Sequence, residues 1–222
     1  MTDMTADDDP GAPVFFLSYS RPDRSRSVGP PREPNRNVIK LFDELNELVN
    51  ELIGSPVGGD PGYLDLGRGG GELWQKGVLQ AAGTCQVLVC LISHPYLFQS
   101  TWCPREWDIF TRRAVVPRGR PAPGIESAII PVLWTPLEGQ LPPPIAAVNL
   151  FVPAGLPDED HTARYLADGL LGLARTGQTA IYEAIVWKLA LHIQRVHSRY
   201  RVEPGIPDGI DDLRTSFMEG AP

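Results

Sequence analysis

The chain has 222 residues, 42 % of them hydrophobic, enough for one packed α/β domain with tails. Its formal charge of −7 argues against a nucleic-acid binder, which would carry a basic face, although a small cluster at Arg21, Arg24 and Arg26 suits a phosphate-bearing ligand. Three cysteines, Cys85, Cys90 and Cys103, read as buried reduced thiols of a cytoplasmic protein; no stretch resembles a signal peptide, and the longest apolar run is too short to span a membrane.

Residues 1–12 are acidic and rich in Pro and Gly, and are expected to be disordered. VFFLSYS (14–20) is aromatic and apolar throughout, the pattern of a strand buried on both faces. The polar, Pro-rich loop that follows is long enough to suggest function. Apolar residues at 38, 41, 42, 45, 48, 49, 52 and 53 predict an amphipathic helix over 38–53. YLDL (63–66) reads as a short second strand, GRGGG (67–71) as a loop, and 72–83 as a second helix. QVLVCLIS (86–93) is the third strand, and a third helix starts near Cys103 and runs to about Arg113. AIIPVLW (128–134) is a fourth strand, and its internal Pro131 places it at an edge or a bulge. VNLFV (148–152) is the expected fifth strand and 179–200 is a long amphipathic helix; 201–222 reads as a loose tail.

Strands alternating with helices imply an α/β, flavodoxin-like three-layer fold, with a five-stranded parallel sheet in the order 2-1-3-4-5 and helices on both faces. In that order a crevice opens at the carboxyl ends of the first and third strands. Ser18, Tyr19, Ser20 and Arg21 from one side and Ser93 from the other would border it, with STWCPREW (100–107) just beyond.

Ser100, Trp102, Cys103 and Glu106 form the pattern S-x-W-C-x-x-E. Together with VFFLSYS and a Gly-rich loop after the second strand, this resembles the TIR (Toll/interleukin-1 receptor) domain family over residues 14 to 153, within a TIR-like domain spanning 13–200. The continuation EW-x-x-F-x-x-R and the Pro-rich inserts are most similar to the TIR-like proteins of actinobacterial peptide-maturation clusters with FxSxx-COOH precursors. The resemblance implies one of two roles. In the first, NAD+ is a substrate, not a cofactor, and is cleaved at its nicotinamide–ribose bond with Glu106 as the catalytic residue. In the second, the domain is a non-catalytic module that self-associates or joins another TIR-like protein. In either role the loop Gly67, Arg68, Gly69, Gly70 and Gly71 would pack on a neighbouring subunit.

The chemistry itself is undemanding. Nicotinamide leaves as a neutral group, so one carboxylate beside the ribose can stabilise the oxocarbenium-like state without a general acid. A glutamate of ordinary pKa, about 4.3, would be ionised at neutral pH. Trp102 could stack on the pyridinium cation, and Arg21 and Arg24 could meet the pyrophosphate. Each has a plainer alternative: Glu106 complementing a helix N-terminus, Trp102 and Trp74 as core residues, the arginines as solvated loop charges, and GRGGG as a flexible connection. A third function is binding a nucleotide messenger without turnover. No metal-ligand spacing is present; His192 and His197 are five apart and face differently on a helix.

Overall fold

The computed structural model describes residues 11–21, 35–55, 59–66, 71–119 and 127–218. Residues 1–10 of the acidic N-terminus, Arg24, Arg26 and Gly67 to Gly70 lie outside them. The protein is α/β. Its main sheet is parallel, with four strands flanked by helices: β1 (Phe15–Tyr19), β2 (Gly62–Leu64), β3 (Val87–Ile92) and the fourth strand in space, Ile129–Leu133.

Strands β1 and β3 are buried at every position, as their unbroken apolar runs require. They pair in parallel from Phe15 opposite Val87 to Tyr19 opposite Leu91. Helix α1 (Arg36–Ile53) buries Val38, Leu41, Leu45 and Val49, one residue per turn along the stripe read from the sequence. It also fixes β2: the Asn46 side chain accepts the Gly62 N–H at 2.8 Å. A Cβ at Gly62 would lie 2.4 Å from the Phe15 ring, so only glycine fits there. Helix α2 (Glu72–Thr84) connects β2 to β3. Two helices follow β3: α3 (His94–Phe98), which the sequence reading missed, and α4 (Trp102–Thr111).

After α4 the chain forms a second, two-stranded antiparallel sheet from β4 (Val115–Pro117) and β6 (Tyr200–Val202). Strand β5 (Ile129–Leu133) then pairs with β3 and forms the edge of the main sheet, the position expected for a Pro-bearing strand. Helices α5 (Pro143–Ala146), α6 (Glu159–Arg175) and α7 (Thr179–Arg199) complete the order, α7 packing against α1.

Three features depart from the sequence pattern or are left unassigned by it. First, 148–152 is not a fifth strand, so the sheet order is β2-β1-β3-β5. The cause lies in β5. On its outer edge the Ile129 N–H goes to the Ser127 hydroxyl, Pro131 has no N–H, and the Leu133 N–H goes to the Tyr165 hydroxyl at 2.9 Å. Among the described residues the Pro131 carbonyl takes a bond from the chain alongside, from the Phe151 N–H at 2.7 Å. Second, 154–178 contains α6. It bends at Gly169 (φ 67°, ψ 169°), where a Cβ would sit 2.7 Å from the Trp134 carbonyl oxygen. Third, the chain beyond Arg201 is packed. Val202, Leu213 and Phe217 are buried, and the Gln86 amide exchanges two hydrogen bonds with the Val202 backbone, as a strand would. Arg113 clamps the same segment by donating to the carbonyls of Ala82, Val202 and Glu203.

Candidate functional site

The carboxyl end of β1 places four consecutive residues in different settings. Ser18 points inward and is buried, Tyr19 is buried beneath the surface, and Ser20 and Arg21 emerge as the strand ends. On the β3 side, α3 and α4 turn the chain back over this end. Ser93 caps α3 by accepting the Tyr96 N–H at 3.3 Å. Ser100 caps α4 by accepting the N–H groups of Trp102 and Cys103 at 3.2 and 3.1 Å. Helix α4 starts at Trp102, so Glu106 lies beyond the first turn, which holds no acid. Complementing the helix N-terminus therefore does not explain this carboxylate.

Glu106 points into the protein, 6 % exposed. The Ser18 hydroxyl donates to its Oε2 at 2.5 Å, and the same hydroxyl lies 3.1 Å from the Tyr96 phenol. Residues separated by 88 and 78 positions in sequence thus meet in one buried polar chain, Tyr96–Ser18–Glu106. Burial raises the Glu106 pKa to about 7, against the opposing effects of the Ser18 hydrogen bond and the Arg21 charge. The ordinary acidity expected from sequence is thereby corrected: near neutral pH this group is poised between its two forms.

A cavity of about 240 Å³ opens above the carboxylate, lined by Tyr19, Ser20, Arg21, Asp65, Trp102 and Glu106 among others. At its rim Arg21 pairs with Asp65, which also accepts the Trp74 indole N–H at 2.8 Å. The Tyr19 phenol donates to the Asp65 backbone carbonyl at 3.2 Å, and burial raises its pKa. Trp74 and Trp102 meet edge to face with centroids 4.7 Å apart; the Arg21 guanidinium lies over Trp74 and that of Arg105 over Trp102. The volume is below the roughly 300–1,000 Å³ of a pocket that encloses a drug-sized ligand. It suits one ring-sized fragment, with the remainder of a larger ligand outside.

The structure brings together Tyr19, Ser20, Arg21, Trp102 and Glu106 at the cavity, with Ser18 beneath them on the Glu106 carboxylate. Ser93 stands apart as a helix cap, and Gly71 precedes α2 in a positive-φ conformation. Cys103 is a buried thiol whose pKa burial raises well above normal. Asp65 and Tyr96 were not among the residues read as candidates, and Trp74 was read as core more readily than as a ligand contact. A carboxylate directly after a short strand, at the crevice end of the sheet, is the signal that could have found Asp65. Among the described residues no cluster of His, Cys, Asp or Glu forms a metal set, and no helix is long and apolar enough to cross a membrane.

A desolvated carboxylate beside an arginine already paired elsewhere favours a ligand that brings positive charge. Entry of a cation would shift Glu106 towards its ionised form. No protein-family model, curated protein or solved structure matches the chain.

Proposed function

We propose that the protein is a TIR-like NAD+ glycohydrolase, acting as hydrolase or cyclase, in which Glu106 stabilises the positive charge that develops on the ribose as nicotinamide leaves. One observation carries the reading: a buried carboxylate held by Ser18 at a cavity lined by the Trp102 indole. The pyridinium cation of the substrate supplies the counter-charge that this carboxylate lacks, so binding favours the ionised form needed for the chemistry. The nicotinamide ring is the fragment that matches the cavity, with the ribose at the carboxylate and the rest of the dinucleotide lying beyond Arg21.

The exposed Leu73 on the first turn of α2, beside Trp74, favours a companion reading in which copies associate through this edge, or dock another TIR-like protein. The two are compatible if association completes the site.

Nicotinamide release from NAD+ tests both, measured with and without a crowding agent over a range of protein concentrations. Wild type is expected to release nicotinamide, more steeply than in proportion to its concentration, and Glu106→Gln to be slower by roughly 10²–10³-fold. Release that is absent under all conditions, or equal in Glu106→Gln, would refute the catalytic assignment.

A further inference from the structure

One wall of the Glu106 cavity is continuous in sequence: Gln99, Ser100, Thr101 and Trp102, which link α3 to α4 and begin α4. The backbone of this link is fixed. The N–H groups of Gln99 and Ser100 both donate to the Pro95 carbonyl, at 3.1 and 2.9 Å, and the Ser100 hydroxyl accepts two N–H groups of α4. Gln99 ends α3 with φ −123° and ψ −23°, and its contribution there is its backbone N–H. Its side-chain amide is exposed and makes no hydrogen bond among the described residues. The packing of α3 and α4 therefore gives no reason for a carboxamide at this position, while the cavity does.

The charges around the cavity narrow what can stand beside that amide. Among the described lining residues the charged ones are Arg21, Asp65 and Glu106, and Arg21 is paired with Asp65. With Glu106 ionised the lining is negative on balance, which suits a ring cation and opposes a second carboxylate. A ring with its charged nitrogen towards Glu106 carries its substituent away from that carboxylate, where a neutral polar partner is needed. The hydroxyls of Ser20 and Thr101 each offer one rotatable donor. Among the described lining residues Gln99 alone is an amide, with donor and acceptor side by side in one plane. A carboxamide presents the complementary pair; a carboxylate presents acceptors only.

We infer that Gln99 is the specificity-determining residue of this cavity, pairing amide to amide with a pyridinium carboxamide and so selecting it over the corresponding carboxylate. The inference rests on the proposed reading of the cavity as a pyridinium site. It adds which form of the dinucleotide is accepted: the carboxamide, and not its deamidated acid.

Ring-methylated nicotinamide and ring-methylated nicotinic acid carry the same pyridinium cation without the glycosidic bond, so their binding is read apart from turnover. Their dissociation constants on the full chain at pH 8, from NMR shifts of the tryptophan indole N–H groups, test the assignment. Wild type is expected to prefer the carboxamide by at least about tenfold. Gln99→Ala is expected to shrink that preference by about fivefold. Gln99→Lys, which supplies a positive charge and donors only, is expected to abolish or reverse it. Both variants keep the thermal midpoint of wild type, because the side chain is exposed. These ratios without nicotinamide release from NAD+ would support the role of Gln99 and refute the hydrolase. Nicotinamide release by wild type with the preference unchanged in Gln99→Ala would overturn the role of Gln99 and leave the hydrolase standing. No binding of ring-methylated nicotinamide to wild type would overturn the inference outright.

Discussion

Replacing Glu106 by Gln is expected to stabilise the protein at pH 8 and to leave its stability nearly unchanged at pH 4. Burial moves the carboxyl from its ordinary value of 4.5 to about 7 in the folded state. Between those values the folded chain binds more protons at this position than the unfolded chain, so stability falls as pH rises from about 4.5 to about 7 and then levels off. At about 1.4 kcal/mol per pKa unit, the ionised carboxylate costs about 3 kcal/mol above pH 7. The Gln amide keeps the shape, can accept the Ser18 hydrogen bond through its oxygen, and carries no charge to desolvate. Urea unfolding followed by tryptophan fluorescence, on both proteins at pH 4, 5, 6, 7 and 8, reads the difference directly. With a slope of about 3 kcal/mol/M, the midpoints would separate by about 1 M at pH 8 and converge at pH 4. Contributions from every other titrating group cancel in the comparison. A gap that does not change with pH, or a wild type that is the more stable protein at pH 8, would refute the reasoning about this carboxylate.

Ser18→Ala removes the hydrogen bond that opposes the upward shift of Glu106, so the pH at which nicotinamide release rises to half its maximum is expected to move above about 7, as initial rates over pH 5.5 to 9 would show. Gly169→Ala forces a side chain into a conformation open essentially to glycine alone and against the Trp134 carbonyl; a loss of at least about 1–3 kcal/mol in denaturant unfolding is expected.

The apolar runs and the stripe of α1 were legible in the sequence because burial alone dictates them: VFFLSYS and QVLVCLIS have no polar face to offer solvent. The alternation of strand and helix then implied a crevice at the carboxyl ends of β1 and β3, which is where Ser18 and Glu106 meet. What sequence could not reveal depends on partners distant in the chain. The fifth strand failed because the outward donors of β5 are taken by Ser127 and Tyr165 or removed by Pro131; Tyr165 belongs to a helix with no strong signature of its own. The tail looked loose from its composition, yet Gln86 and Arg113 hold it through backbone carbonyls, contacts that no local pattern encodes. The acidity of Glu106 differs for the same reason, since it is set by burial and by Ser18 and Arg21, far away in sequence.

Phe217 stacks on Tyr96 at 5.7 Å and meets Trp107 edge-on at 5.8 Å. It therefore acts as a wedge against the Tyr96 end of the Tyr96–Ser18–Glu106 chain, and it does not line the cavity. A stop codon placed ahead of it would remove no lining residue, yet would unseat the phenol on which the serine rests. Shortening of the carboxyl terminus by a few residues would thus be felt at the carboxylate before it was felt anywhere on the rim.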